Sequence, residues 1–218
     1  MDYVRDDLAA LYPWFGIRVA HAGLVLTPPT DVELLEIAAF VAEPGGVLAP
    51  GGEHFLTRPM GDDDAARVFL ERSWSLRRFP TAGGGWRVPF AVLDGGRAVG
   101  HATLDAAGRP GEVATSSFLA RPERGRGVGR RVRLMLLELA FGALGMTRAV
   151  TAAAEDNHAS LRVSHRCGYR ETDRRRHADG TPEVHLAVTP GAWRRRRLEG
   201  VVVEGTEPFV AVISPASR

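Results

Sequence analysis

The glycine-rich stretch at residues 124–129, RGRGVG in one-letter code, constrains the fold of this chain most. It joins a predicted strand over residues 113–120 to a predicted helix over residues 127–144. Glycine allows a tight turn and a close approach between backbone and ligand. The unpaired N–H groups that open a helix, together with the helix dipole, attract an anion. The pattern predicts a loop that binds a diphosphate, and hence a nucleotide-derived cofactor.

Three other kinds of glycine-rich loop are excluded by the surrounding residues. A Rossmann fingerprint needs a third glycine where this chain has Arg130, and a P-loop needs a lysine, which the chain lacks. An RNA-binding segment of the Arg-Gly-Gly type would repeat and stay disordered, whereas an apolar helix follows this loop at once. What remains is a single turn with the spacing Arg-x-x-Gly-x-Gly, either a phosphate-binding turn or an ordinary glycine-rich turn before a helix.

A second motif follows in the C-terminal half. A predicted strand over residues 148–154 leads to Asn157-x-x-Ser160, at the start of a short predicted helix. Gly168-Tyr169 follows that helix. Asn157 is the only asparagine in a chain that has no glutamine and whose composition is typical of a GC-rich genome. Its retention indicates a specific hydrogen-bonding task; asparagine is also a good helix N-cap, and one residue can serve both purposes.

Together the two motifs resemble those of the GNAT acetyltransferases, in which a pyrophosphate loop precedes Asn-x-x-Ser and a closing Gly-Phe/Tyr. Residues 14–30 resemble the opening of the RimJ/RimL-type branch, and the two chain ends resemble an actinobacterial-like subgroup of that branch. The resemblance implies an α/β fold of the α+β type with a mixed sheet. In this GNAT acyltransferase fold a central pair of parallel strands, here residues 113–120 and 148–154, splays apart.

The rest of the chain fits this fold. The capping box Thr30-x-x-Glu33 predicts the start of a helix, a Gly- and Pro-rich loop is predicted over residues 43–63, and a further helix over about residues 63–74. The short helix after Asn157 is predicted over residues 159–166. Two hairpins are predicted, residues 88–93 with 98–104 and residues 170–177 with 184–188.

Composition limits the classes of protein that the chain can belong to. One domain is predicted over residues 1–199, followed by an extended C-terminal tail over residues 200–218. No stretch approaches the ~20 apolar residues of a membrane span, and the N-terminus lacks the apolar segment of a signal peptide. One cysteine excludes an intrachain disulfide and a cysteine-rich zinc site, and the absence of lysine excludes Schiff-base chemistry. We therefore expect a cytoplasmic protein without a metal.

The net charge is only +2, but the arginines are clustered. The first cluster begins the helix after the glycine loop and is expected to face phosphates of the cofactor. The last cluster follows Trp193; a solvated face is the main interpretation and tRNA binding the alternative. The clusters are Arg130, Arg131 and Arg133; Arg174 to Arg176; and Arg194 to Arg197.

The resemblance implies that an acyl-coenzyme A, with acetyl-CoA as the expected donor, binds along the splayed strands. Strand backbone would pair with the amides of the pantetheine arm as an added strand would, and an N–H there could polarise the thioester oxygen. The residues implied for coenzyme binding are Phe118, Leu119, Ala120, Arg124, Gly125, Arg126, Gly127, Val128, Gly129, Arg130, Asn157 and Ser160.

Ser160 is the implied catalytic residue, because RimL-type relatives use a serine there as the general acid toward the departing thiolate. The alternative is that Ser160 only orients the coenzyme or caps the helix. Tyr169, the other hydroxyl near this motif, is expected to pack in the core. Cys167 is interpreted as a small core residue and not as a nucleophile.

The general base is left open by the sequence. Glu112, Glu155 and Asp156 lie near the right elements, but close relatives often carry an additional acid where this chain has Ala114. That departure favours a water relay or an altered substrate. Histidines that could relay protons are His101, His158, His177 and His185, none of which has metal-ligand spacing.

The sequence thus predicts a coenzyme-A-dependent N-acyltransferase, with N-acetyl transfer directly to a primary amine as the main reaction. The acceptor would be a small molecule or a peptide. A larger donor is the alternative among enzymes, either succinyl-CoA, for which Ala114 would leave room, or an aminoacyl-tRNA held by residues 194–197. A non-catalytic acyl-CoA sensor is the alternative outside enzymes. No membrane partner is expected, and a homodimer is left open.

Overall fold

A computed structural model describes residues 3–41, 62–77, 85–176 and 180–214 of the chain. These residues form a single mixed sheet with helices on both faces. The strands are β1 (Arg18–His21), β2 (Leu24–Thr27), β3 (Arg87–Asp94), β4 (Arg97–Ala106), β5 (Glu112–Leu119), β6 (Arg148–Ala154), β7 (Arg170–Arg176), β8 (Pro182–Val188) and β9 (Val202–Glu204). The helices are α1 (Tyr3–Leu11), α2 (Asp31–Val41), α3 (Asp62–Ser75), α4 (Val128–Leu137), α5 (His158–Cys167), α6 (Pro190–Arg194) and α7 (Glu207–Ile213).

The strand order is β7-β8-β6-β5-β4-β3-β2-β1-β9. Neighbouring strands run antiparallel except β5 and β6, which form a parallel pair. Both predicted hairpins are present, as β3–β4 and β7–β8. The predicted mixed α/β fold with a parallel pair is therefore confirmed. None of the described helices is both long enough and apolar enough to cross a bilayer.

Two apolar clusters cover the two faces of the sheet. The larger one lies between the sheet and α4 and includes the buried Leu119, Val132 and Tyr169. The smaller one lies under α2 and α3 and includes Phe40 and Phe69. Because both faces are covered, most residues of strands β3 and β4 are buried.

Local signals place several element ends correctly. The Thr30 N–H donates to Glu33 Oε2 at 2.7 Å, and the Glu33 N–H donates to Thr30 Oγ1 at 3.3 Å. This reciprocal pair is the predicted capping box, and α2 begins at the next residue after Thr30. The predicted loop over residues 43–63 lies, up to residue 61, outside the described residues, as does His177.

The helix predicted over residues 127–144 changes character near its middle. α4 ends at Leu137 and continues as a π-helix, Glu138–Ala143, in which the Leu144 N–H donates to Leu139 O at 2.9 Å. A Cβ on Gly142 would lie 2.8 Å from Glu138 Oε1, so glycine allows the Glu138 carboxylate to lie over the wider turn.

The described part of the predicted tail over residues 200–218 contains one strand and one helix. β9 pairs with β1, and α7 buries Phe209 completely against Trp86, with ring centroids 5.3 Å apart. A Cβ on Gly205 would lie only 1.9 Å from Gly16 O, so this segment packs directly on backbone. Burial of its apolar side chains, which the sequence analysis did not weigh, holds it to the fold.

Candidate active site

The glycine loop ends in an open helix N-terminus. Gly125 and Gly127 have φ of +75° and +81°, and a Cβ on either would meet nothing within 4 Å. Gly127 is the N-cap of α4, and no side chain caps the helix there. The first N–H groups of α4, at Val128 and Gly129, therefore point out of an open turn, as an anion site requires.

The loop is held in place by its own charged residues. Arg124 Nε donates to Leu119 O at 2.9 Å. Arg126 pairs with the buried Glu123 at 2.8 Å, and Arg97 approaches the same carboxylate at 3.5 Å. These contacts tie the loop to β5 and β4 and orient it before any ligand binds.

Three arginines of α4 were expected to face phosphates of the cofactor, and two of them point elsewhere. Arg131 Nη1 donates to Ala22 O at 3.3 Å, toward the β1–β2 turn. Arg133 is buried under the sheet, because successive positions on a helix point in different directions and residue 133 falls on the inner face. Arg130 remains, half-buried in the first turn of α4.

Strands β5 and β6 separate beside this loop. Their pairing ends at Ala114↔Val150. At the next position the Thr151 hydroxyl donates to Thr115 O at 2.9 Å, so a side chain takes the place of a backbone ladder bond. Beyond it the two strands share no ladder, and we call the gap between them the slot; its closed end lies at Thr115 and Thr151.

The backbone of β5 alternates between its two neighbours, and this decides which groups face the slot. The Ala120 N–H donates to Val99 O of the β4 side at 2.9 Å. In an antiparallel ladder every second residue is bonded to the partner strand, so Phe118 also directs its backbone to β4. Ser117 and Leu119 direct theirs into the slot. Phe118 and Ala120, two of the three predicted backbone partners of the coenzyme, thus direct their backbone toward β4, and the backbone of Ser117 faces the slot in addition to that of Leu119.

Gly100 is a supporting residue that the sequence analysis missed. A Cβ on it would lie 2.5 Å from Phe118 O and 2.6 Å from Leu119 Cδ2, so β4 approaches β5 closely at the slot wall. A glycine inside a predicted strand was the available signal.

The Asn157 motif lies at the mouth of the same slot. Asn157 is the N-cap of α5, and its Oδ1 accepts from the Ser160 N–H at 3.1 Å, so the capping interpretation is confirmed. A Cβ on Gly129 would lie 3.7 Å from Leu119 Cδ1 and 3.8 Å from Val163 Cγ2. The loop, β5 and α5 therefore meet at Val163, and the half-buried Ser160 lies on the first turn of α5, three residues before it.

Cys167 and Tyr169 belong to the core, as predicted. Both are buried, and burial raises the pKa of the Cys167 thiol to about 11, which makes it a poor nucleophile. The Tyr169 hydroxyl lies 2.7 Å from Thr115 Oγ1, and burial raises its pKa.

The three acids considered as bases are poorly placed for that role. Glu112 pairs with Arg148 where β5 and β6 are still bonded to each other, away from the slot. Glu155 pairs with Arg174 on the surface. Asp156 is exposed in the turn before α5.

Asp105 is the carboxylate that the sequence analysis missed. It lies directly opposite Ala114 in the β4–β5 ladder, so the two side chains share one face of the sheet. Its Oδ2 accepts from Arg87 Nε at 2.8 Å, and its Oδ1 is buried with no hydrogen-bond partner among the described residues. Burial raises the pKa of the Asp105 carboxyl to about 6, against the opposing influence of Arg87, Thr103 and Arg72.

Two hydroxyls connect Asp105 with the slot. Thr103 Oγ1 donates to Asp105 Oδ2 at 3.4 Å, and Thr103 Oγ1 lies 3.0 Å from Ser116 Oγ. Ser116 is on β5 at the level where the strands separate. This row of polar groups on the α2–α3 face leads from the slot to a carboxyl with a raised pKa.

His101 lies further along the same face. Its ring stacks on Phe118 with centroids 5.5 Å apart and meets Phe69 edge-on at 5.6 Å. Burial lowers the pKa of His101 to about 4, so the imidazole is neutral near pH 7. Within the described residues no group of three or more His, Cys, Asp or Glu side chains is arranged to hold a metal ion.

Known proteins share this architecture. Residues 23–170 match the family model described as acetyltransferase (GNAT) domain. RimJ of Mycobacterium smegmatis, solved in complex with CoA-disulfide, superposes with a TM-score of 0.68 at 19% identity, over 84% of this chain and 94% of that one. The aminoglycoside acetyltransferase AAC(6')-Ib, solved in complex with coenzyme A, gives 0.61 at 18% identity, over 79% and 98%.

A chimera of the spermidine N-acetyltransferase SpeG from Vibrio cholerae and hSSAT gives a TM-score of 0.59 at 14% identity, over 80% of this chain and 100% of that one. At such identities these three structures show that the fold is shared. The family model, in contrast, spans more than half of the sequence, including both motifs up to residue 170. The chain therefore belongs to the GNAT acetyltransferase family.

Proposed function

We propose that this protein transfers an acyl group from coenzyme A directly to a primary amine, without an acyl-enzyme intermediate. The observation that carries the proposal is the slot between β5 and β6, which opens beside the uncapped N-terminus of α4. The slot offers unpaired strand backbone, and the helix N-terminus offers N–H donors for a diphosphate. An acyl-coenzyme A requires both features side by side.

The diphosphate and the pantetheine arm of the coenzyme each have matching groups. The N–H groups of Val128, Gly129 and Arg130 fit the diphosphate, with Gly125 and Gly127 leaving space for its approach. The backbone of Ser117 and the N–H of Leu119, whose carbonyl accepts from Arg124 Nε, fit the pantetheine arm. Asn157 marks the mouth of the slot, where its side chain would contact the coenzyme in addition to capping α5.

The reaction forms a carbon–nitrogen bond and breaks the carbon–sulfur bond of the thioester. The Ser117 N–H, which faces the slot, would stabilise the negative charge that develops on the thioester oxygen. Ser160 would give a proton to the departing sulfur, and its own hydrogen would be replaced from solvent at the slot mouth. The nitrogen must lose one proton in the same sequence.

Asp105 is the proposed acceptor of that proton. The amine approaches from the α2–α3 face, where Ser116 and Thr103 connect the slot with the Asp105 carboxylate. A base with a pKa of about 6 is deprotonated at neutral pH and still basic enough to take a proton. Close relatives often carry an acid on β5 where this chain has Ala114. Here Asp105, directly opposite on β4, provides the carboxylate instead.

The proposed acceptor is a small-molecule or peptide amine. This is the class to which the acceptors named for two similar structures belong, an aminoglycoside and spermidine. Acetyl-CoA is the donor that the family suggests, and a larger donor such as succinyl-CoA is favoured by a buried arginine at the closed end of the slot, considered in the next section.

Binding of an aminoacyl-tRNA by residues 194–197 has less support. Arg197 pairs with the buried Glu138 at 2.8 Å and lies over the Trp193 ring at 5.2 Å. Arg196 Nη1 donates to Ala192 O at 3.1 Å. Two of the four guanidinium groups therefore make contacts within the protein itself.

A thiol-release assay with acyl-CoA donors and a panel of polyamines, aminoglycosides and N-terminal peptides tests the proposal. We expect amine-dependent release of coenzyme A thiol together with a product heavier by one acyl group. Coenzyme binding without release on any amine would support the sensor alternative. Absence of coenzyme binding in calorimetry would overturn the proposed function altogether.

A further inference from the structure

Among the described residues, Arg133 is a buried cation that has no anionic partner. Its exposed fraction is 3%, and its hydrogen bonds go to neutral hydroxyls: Nη1 to Thr151 Oγ1 at 3.2 Å and Nη2 to Ser117 Oγ at 3.5 Å. Its Nε is buried without a hydrogen-bond partner, and its guanidinium lies 5.7 Å from the Tyr169 ring centroid. Burying a charge with neutral partners is costly.

Other buried charges in the described part of the chain have counterparts. Glu123 pairs with Arg126 at 2.8 Å, and Glu138 pairs with Arg197 at 2.8 Å. If Arg133 only linked two strands, a neutral side chain could do the same with less desolvation. An unsatisfied buried group of this kind calls for an explanation.

The position of Arg133 beside the slot supplies an explanation for its burial. Thr151 is the first β6 residue after the last β5–β6 pair, and Ser117 is the β5 residue whose backbone faces the slot. The guanidinium spans these two strands from the α4 side, so it forms the closed end of the slot. The small side chains of Ala114, Ser116 and Ala152 lie on the opposite, α2–α3 face of these strands, because side chains alternate along a strand.

We propose that Arg133 binds a carboxylate at the far end of the donor acyl group, so that the preferred donors are dicarboxylic acids joined to coenzyme A through one carboxyl, such as succinyl-CoA. The inference rests on the proposed function, because it concerns the acyl end of the same slot. A carboxylate there would give the guanidinium its missing counter-charge through charge-assisted hydrogen bonds. The transfer step is unchanged: the carbon–sulfur bond breaks, the carbon–nitrogen bond forms, and the far carboxylate remains in the product.

The test compares succinyl-CoA, butyryl-CoA and free coenzyme A by calorimetry, without an acceptor. Succinyl and butyryl have the same chain length, and a methyl group replaces the carboxylate in butyryl. We expect succinyl-CoA to bind at least about tenfold more tightly than butyryl-CoA. Equal affinities would overturn the inference and leave the proposed function intact if coenzyme A binds. Failure of all three to bind would overturn both.

The variant Arg133→Met removes the charge and keeps a long apolar side chain. We expect the succinyl preference to disappear while the affinity for free coenzyme A stays the same. Arg131→Met on the same helix is the matched control, because Arg131 points to Ala22, and it should keep the preference. Retained preference in Arg133→Met would contradict the inference. If Arg133→Met unfolds, Arg133→Lys, which keeps the charge, is the alternative variant. The comparison of succinyl-CoA with butyryl-CoA on the wild-type protein then decides the test by itself.

Discussion

Asp105, which lies opposite Ala114, is the proposed base, and its pKa determines the expected pH dependence of the reaction. The carboxyl must be deprotonated to accept a proton, and its pKa is raised to about 6, so the rate should rise as pH increases through about 6. Asp105→Asn should lower kcat by roughly 10²–10⁴ and remove this rise, with coenzyme affinity unchanged. The exposed Asp94→Asn on the neighbouring strand is the control. If the rate of the Asp105→Asn variant still rises through about pH 6, another group accepts the proton.

His101 gives a second pH effect, this time on stability. Its pKa in the folded protein is lowered from 6.5 to about 4 by burial, so its contribution is complete above about pH 6.5 and is lost as pH falls toward 4. The loss amounts to about 3 kcal/mol at most. Asp105 acts in the opposite direction over the same range, because its folded pKa is raised and its protonation favours the folded state.

The comparison of His101→Phe with wild type isolates the histidine, since both proteins keep Asp105. Urea unfolding at pH 7 and at pH 4.5 should show the variant gaining stability relative to wild type only at the lower pH. The exposed His158→Phe should show no such gain. A difference between wild type and His101→Phe that does not change with pH would contradict the expected burial of a neutral imidazole.

Ser160 and Asn157 should differ in kinetics. Ser160→Ala should lower kcat and kcat/KM together by roughly 10²–10⁴, with little change in coenzyme affinity, because its contact with sulfur strengthens only as charge develops. Asn157→Ala loses the cap on the Ser160 N–H, whereas Asn157→Ser keeps a capping oxygen and loses only the amide. Weaker coenzyme binding in both Asn157 variants would assign the amide to the coenzyme. A Ser160→Ala effect below about threefold would reduce Ser160 to a structural role.

At the scale of secondary-structure elements, the glycine loop can be tested without backbone strain. Gly127 has φ of +81°, so Gly127→Val combines any steric effect with a left-handed penalty of about 1–2 kcal/mol. Gly129 lies in α4 with ordinary space around its Cα, so Gly129→Val should fold and should bind coenzyme A at least about tenfold more weakly. Gly129→Ala is the milder control. Unchanged binding in calorimetry by a folded Gly129→Val protein would remove the loop from the coenzyme site.

Local patterns predict the elements of this fold but not how they are paired. The capping box, the glycine turn and the hairpins depend on residues close in sequence, and they were predicted correctly. The roles of Asp105 and Ser117 depend on strand register, since a shift of one residue would turn the Asp105 side chain to the other face and the Ser117 backbone to the other neighbouring strand. The inward direction of Arg133 likewise depends on which face of α4 meets the sheet. The sequence therefore predicts which elements form the candidate site, while several contacts within it depend on the fold.

At the scale of the whole molecule, the C-terminal segment should stabilise the domain and not behave as a tail. Phe209 is fully buried beside Trp86, and β9 extends the sheet at β1. Phe209→Ala should lower the free energy of unfolding by about 3–5 kcal/mol, as large-to-small changes of buried aromatic residues do. The half-exposed Val202→Thr should change it by less than about 1 kcal/mol. Urea unfolding followed by tryptophan fluorescence and circular dichroism should show one coincident transition in all three proteins, because the segment and the sheet share a core. A separate early transition that Phe209→Ala shifts alone would instead support a domain that ends at residue 199.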